Sequence, residues 1–279
     1  MASNLLALVY IDVDYAPVFV IMAEENFPHR NERAFEPRTK QSMNSASPCA
    51  TCPKHDSGFC GAILGNSQTG SNDTSDWQNH FVVAAGRQAL ASQQATPDVY
   101  VLCHGWAFRF LQLPDGRRQI LHFLLPGDLF SISLLFRDRV HFSVKALTPI
   151  QVSAMKRTEV QSKIMRNPAT ALPALAQSCA GQTETLEKVI AALGLCSAEE
   201  RIASLFLYLM KRIADQTVIR ENRYPFPLRQ QDIADAVGLT AVHVSRILGT
   251  FRERGIADLS NGVLEVLNIR ELQRLSPLN

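Results

Sequence analysis

Between Gln230 and Leu267 the apolar positions change period twice. Ile233 and Val237 fall one helical turn apart, Val244 and Ile247 do the same, and Leu239 sits between the two sets. That spacing predicts two short helices packed through one shared apolar seam. Ala234 is small where the helices would cross, Gly238 can take the positive φ that ends the first, and Thr240 is an N-cap for the second. From Ile256 to Leu267 the period becomes that of strands, two of them around Asn261-Gly262, a two-residue hairpin turn. Two helices, a tight turn and a β-wing are the layout of a DNA-binding domain in which the second helix enters the major groove. An ordinary helical hairpin would explain the helices but not the wing.

Removing the core positions from the second helix leaves Ala241, Val242, Ser245, Arg246, Gly249 and Arg252 on its other side. Arg246 can bond a guanine edge in bidentate fashion, Ser245 can reach a base or a phosphate, and Val242 can touch a thymine methyl. His243 is a candidate phosphate contact, and Arg252 and Arg254 extend the basic character beyond the helix.

Upstream, Leu172, Leu175, Cys179, Leu186, Ile190 and Leu193 recur at three-, four- and seven-residue steps. This seam predicts a long helix that pairs in parallel with a second copy of itself, giving a homodimer. Pro173 falls near its start, where proline is tolerated. Ser197 to Glu200 has the form of a capping box for a further helix with Ile202, Leu205, Phe206, Leu209 and Ile213 facing a core. Cys179 and Cys196 read as small buried hydrophobes. From Phe81 to Arg157 short alternating strands are punctuated by Pro114-Asp115-Gly116 and Pro126-Gly127-Asp128, which predicts an antiparallel barrel or jelly roll. Trp106, Phe108, Phe110 and Phe123 are assigned to its core or to packing between domains.

With 279 residues, 46% of them hydrophobic, the chain can hold two domains with sizeable cores, and a formal net charge of +2 with a local basic patch suits a sequence-specific binder better than a general coating protein. Leu5 to Met22 is apolar, but Asp12, Asp14 and Pro17 interrupt it and no basic segment precedes it, so neither a membrane span nor a signal peptide is expected. The protein is expected in the cytoplasm. Ala23 to Pro48 is polar and aperiodic, Met22 and Met43 are alternative starts, and residues 1–48 are expected to be a disordered or mis-started leader. Cys49, Cys52 and Cys60, three of six cysteines, then crowd one loop-like segment. In a reducing compartment that spacing points to an iron–sulfur cluster or zinc in preference to a disulfide. No nucleophile–base constellation or Gly-rich phosphate loop supports an enzyme; an iron–sulfur or zinc enzyme with an accessory winged domain is the alternative of a different class.

The order of these parts, with Ala198 to Ala203, Gly238 to Arg246, the Pro126-Gly127-Asp128 turn and Gly105-Trp106, resembles the Crp/Fnr family of bacterial transcription regulators. The resemblance implies an α+β chain with a cyclic-nucleotide-binding-like β-barrel (jelly roll), a dimerisation helix and a winged helix-turn-helix on a palindromic operator of double-stranded DNA, with RNA polymerase as a further partner. It gives domains at 49–165, 166–195 and 196–279. The cysteine segment resembles the oxygen-sensing Fnr branch, which implies a [4Fe-4S] cluster on Cys49, Cys52 and Cys60. That branch takes a fourth ligand from a barrel cysteine, where this chain has Ser153; Cys103, His55, Asp56 or an exogenous ligand are the substitutes. The cyclic-nucleotide branch needs a glutamate and an arginine–serine pair where this chain has Ile132, Val140 and His141, which argues against cyclic AMP. The Fnr pattern carries a glutamate at position 242, so Val242 implies a different operator. A regulator that senses nitric oxide or haem, or needs no ligand, is the alternative within the family.

Overall fold

The computed structural model describes residues 58–64 and 78–277. The predicted leader, Cys49 and Cys52 lie outside the described residues.

A short helix α1 (Gly58–Leu64) precedes the barrel strands β1 (Gln78–Val83), β2 (Gln88–Leu90), β3 (Asp98–His104), β4 (Ala107–Gln112), β5 (Arg118–Leu124), β6 (Ser143–Ala146) and β7 (Ile150–Lys156). All pair antiparallel, in one sheet of order β1-β7-β3 and another of order β2-β6-β4-β5. Between the sheets lie Val99, Leu102, Ala107, Leu124, Val144 and Val152, all nearly free of solvent. β3 and β4 are separated at Gly105, whose φ is +82° and whose missing side chain lets the backbone pass the Pro149 carbonyl. β4 is buried on both faces: Ala107 points into the barrel, while Phe108 and Phe110, with Phe123, pack into the core of the C-terminal domain. These aromatics therefore serve the joint between domains.

Helix α2 (Arg157–Arg166) leads into α3 (Pro168–Leu195), with Pro168 in its first turn and Pro173 already inside the helix. Two faces of α3 are apolar. Ala171 and Leu175 are buried against the barrel core, whereas Leu172, Leu186 and Ile190 are 55%, 42% and 69% exposed. This corrects the predicted seam. Leu175 and Leu193 face their own chain, Leu193 lying beside Gly238. The outward stripe runs instead through Leu172, Ala176, Cys179, Thr183, Leu186 and Ile190, at alternating steps of four and three. Cys179 is exposed on that stripe, not buried as expected, while Cys196 is buried at the α3 C-cap. The segment around Cys60, read as a loop, is helical because Phe59 and Ile63, one turn apart, bury into the core and seat α1 against α3.

The C-terminal part comprises α4 (Ala198–Ala214), β8 (Arg223–Pro225), α5 (Gln230–Val237), α6 (Ala241–Glu253), β9 (Ala257–Ser260), β10 (Val263–Val266) and α7 (Ile269–Arg274). The Ser197 capping box forms, its backbone N–H donating to Glu200 Oε2 at 2.7 Å. No described helix is long and apolar enough to cross a membrane.

Candidate nucleic-acid interface

Local chemistry fixes the turn between α5 and α6. Gly238 caps α5 at φ +68°, and the Thr240 hydroxyl accepts from the His243 backbone N–H at 3.2 Å, so α6 starts at Ala241. Ile233, Ala234, Val237, Val244, Ile247 and Phe251 lock the two helices together. Packing of that kind leaves α6 one free face. On it Val242 is 64% exposed and His243, Ser245, Arg246 and Arg252 are exposed beside it. Among the described residues the Arg246 guanidinium has no acidic partner, so its fork is available to an anion or a base edge.

The wing forms as expected. β9 and β10 pair through Asn261 (φ +51°) and Gly262 (φ +74°), both left-handed as a type I′ turn requires, and β8 adds a third strand. Two of the arginines expected at phosphates have protein partners. Arg252 reaches Asp258 at the base of the wing at 2.7 Å, and Arg254 bridges Glu199 at 3.2 Å and Glu271 at 3.1 Å. Hydrogen bonding from Arg274 first, with the Arg254 pair, brings the Glu271 carboxyl down to about 2. Arg254 thus ties α6 to α4 and α7, and the basic surface narrows to Arg246 and the exposed Arg252.

A second constellation, absent from the sequence reading, joins this domain to the barrel. Arg118 on β5 donates to Asp235 at 2.6 Å and to Asp232 at 3.1 Å, both on α5, while its guanidinium lies 4.8 Å from the Phe108 ring. Gln119 donates to the Ala236 carbonyl at 3.1 Å. On α4, Arg212 pairs with Asp128 of the Pro126-Gly127-Asp128 turn and donates to the Phe123 carbonyl at 2.7 Å. His122 lies between the domains; burial first, then Arg109 and Arg212, push its pKa well below the ordinary value, disfavouring the charged ring. These partners stand 84 to 117 residues apart in the chain, so no local spacing announces them.

The other predicted positions scatter. Cys60 lies half-buried on α1, Cys103 half-buried at the bulged end of β3, and among the described residues no three potential metal ligands converge. Ser153 is buried on β7 and accepts from Gln78 Nε2 at 2.7 Å. At the three cassette positions, Val140 is buried, His141 is exposed edge-on to Phe142, and Ile132 packs on the barrel core, so none of the three supplies the carboxylate, guanidinium or hydroxyl of the cassette.

The cyclic nucleotide-binding domain matches residues 82–167 and the Crp-like helix-turn-helix domain residues 200–275. The nitrogen fixation regulation protein FixK of Azorhizobium caulinodans is 30% identical over 193 residues, 69% of this chain and 77% of that protein. An anaerobic regulatory protein of Aggregatibacter actinomycetemcomitans is 26% identical over 185 residues, 65% of this chain and 70% of its own. The structure of FixK2 from Bradyrhizobium japonicum superposes with a TM-score of 0.64 at 26% identity, covering 71% of this chain and 97% of that one. Barrel, long helix and winged domain thus recur in the same order in proteins that regulate transcription and are not enzymes, and the chain belongs to the Crp/Fnr family of transcription regulators.

Proposed function

We propose that this regulator works in the cytoplasm as a homodimer that reads a palindromic operator with α6. The observation that carries the reading is the rigid α6 face on which Val242, Ser245 and Arg246 stand exposed beside the wing. Ser245 and Arg246 address base edges, Val242 a thymine methyl, and His243 and Arg252 the phosphates. The outward stripe of α3, Leu172, Cys179, Leu186 and Ile190, pairs the two copies so that two α6 helices meet half-sites one helical turn apart. Loops of the barrel then face RNA polymerase. Operator selection from random duplexes tests this, with a palindrome expected and a non-palindromic or unselected pool refuting it.

The signal we assign is oxygen or redox state, read through Cys49, Cys52 and Cys60. Two observations support it: Cys60 sits on α1, which packs against α3, and the chain is similar to a protein named for anaerobic regulation. A [4Fe-4S] cluster held by these thiolates would supply an oxygen-labile centre. Ser153, buried and bonded to Gln78, does not complete the set; Cys103 or an exogenous ligand is the fourth donor. α1 would transmit the state of the cysteine segment to α3 and so bias pairing of the outward stripe. Protein purified without oxygen should carry about four irons per chain and bleach in air. Zinc alone or no metal, with operator binding intact, would refute the sensing and leave the regulator.

A further inference from the structure

One charged side chain of the barrel lacks a carboxylate of its own. Arg109 on β4 is 7% exposed, yet its Nε is buried without a hydrogen-bond partner among the described residues. Its Nη1 makes only long contacts, 3.5 Å to the Phe130 carbonyl and 3.4 Å to Oε1 of Gln182 on α3, and the guanidinium lies 5.3 Å from the Phe142 ring. Asp128 favours the charge through space but is committed to Arg212 and to the Leu125 backbone N–H at 2.7 Å. Burial outweighs that help and draws the Arg109 pKa below its ordinary value. A guanidinium held out of water with no acid against it is costly.

The place of Gln182 on α3 indicates where an acid can come from. The outward stripe steps by four and three through Leu172, Ala176, Cys179, Thr183, Leu186 and Ile190, the spacing of a parallel helix pair. Residues just before Ala176, Thr183 and Ile190 flank that seam on the barrel side, which is why Leu175 is buried there and Gln182 meets Arg109. Residues just after Leu172, Cys179 and Leu186 flank it on the other side; they are Pro173, Ala180 and Glu187. In a parallel pair the two flanks face each other across the seam and carry its ion pairs, which sets Gln182 opposite Glu187 of the partner subunit. Glu187 is exposed and has no basic partner among the described residues, whereas Glu184, the other acid of α3, lies toward α4 and pairs with Lys188 at 2.8 Å.

We infer that Glu187 of the partner subunit supplies the missing carboxylate, reaching past Gln182 to the Arg109 guanidinium, so that each dimer holds two such pairs by symmetry. The inference rests on the proposed homodimer and names what that dimer selects. Sliding one helix by a heptad would bring the partner subunit's Ala180 or the partner subunit's Gly194 opposite Gln182, and neither has a charge, so the pair fixes register. A regulator of the same build without an acid at that place would leave Arg109 unmatched, so the pair also favours a second copy of this chain over other partners. Pairing of α3 is thereby coupled to the barrel through β4.

Sedimentation equilibrium of the full chain, wild type beside Glu187→Gln, tests the pair. Glu187 is exposed on its own subunit, so the variant should keep the wild-type circular dichroism spectrum while its dimer dissociation constant rises at least about tenfold, the loss of a charge-assisted contact. Glu184→Gln should change the constant by no more than about twofold, because its ion pair is exposed and lies within one helix. In an Arg109→Met background Glu187→Gln should have no further effect. It should also have none in a Gln182→Glu background, where the chain offers Arg109 an acid itself, and that second cycle reads the coupling even where Arg109→Met does not fold. Equal constants for wild type and Glu187→Gln, or the same rise in the Gln182→Glu background, would overturn the pair; dissociation by Leu186→Glu in the same experiment would show the homodimer standing without it. A wild type that stays monomeric at every concentration would overturn both.

Discussion

Removing Arg118 should release the DNA-binding domain from the barrel. The side chain is 17% exposed and faces two carboxylates, Asp232 and Asp235, that are 10% and 11% exposed. Truncation to alanine strands both. Taking one partner from a buried ion pair costs about 3–5 kcal/mol, and the lower end applies here because each carboxylate keeps another donor, Asp232 the Arg229 backbone N–H and Asp235 the Gln231 amide. The guanidinium also leaves the rings of Phe108 and Phe110. A loss of about 3 kcal/mol corresponds to a fall of roughly 6–12 °C in unfolding temperature for a cooperative unit of about 200 residues. Urea unfolding followed by circular dichroism would read it, and a double-mutant cycle with Asp235→Asn should return a coupling of at least about 1 kcal/mol. Because the lost contact lies between domains, the variant should also unfold in two steps. A single transition displaced by less than about 1 kcal/mol, with additive effects of the two substitutions, would refute the joint as a stabilising element.

Other expectations separate the two faces of α3. Leu175→Ala should lower stability by about 2–5 kcal/mol and leave the proposed dimer intact, while Leu186→Glu should dissociate it at nearly unchanged monomer stability; if the original seam, which holds both residues, were correct, sedimentation would show both variants dissociated. Glu271 has a folded pKa of about 2 against an ordinary 4.5, so its stabilising contribution is complete above the unfolded value and fades as pH falls through that window. Glu271→Gln should therefore flatten the acid limb of the stability curve, and an unchanged limb would count against the Arg254–Glu271–Arg274 bridge. Gly262→Ala places a side chain at φ +74° in the wing turn and should cost about 1 kcal/mol in urea unfolding.

The parts of the fold that local physics determines were readable in advance. Gly238, Thr240 and the Asn261-Gly262 turn act within a few residues of themselves, so their spacing alone locates α5, α6 and the wing. α3 was readable as a helix but not as a surface. It is apolar on two sides, one for its own barrel and one facing out, and Leu175 and Ala176 differ by a single residue in a pattern that fits either side; only the position of the barrel assigns Leu175 inward. α1 has seven residues, no acidic first turn and a glycine at its start, so its helicity comes from packing of Phe59 and Ile63. The Arg118 and Arg212 pairs are tertiary, and the arginines on α6 and at its end looked alike in the chain until Glu199, Asp258 and Glu271 paired with two of them. Of Arg246, Arg252 and Arg254, Arg246 alone has no carboxylate partner among the described residues.

Base recognition by α6 is tested most directly by measuring the affinity of wild type and Arg246→Ala for the selected operator and for a scrambled duplex at one fixed salt concentration. A bidentate guanine contact is worth about 1–3 kcal/mol, so the variant should bind the operator roughly 5- to 150-fold more weakly, lose discrimination at one base pair of each half-site, and bind the scrambled duplex almost as before. Equal operator affinity for the two proteins, or an equal loss on both duplexes, would contradict base reading by Arg246 and with it the assignment of α6 as the reading helix.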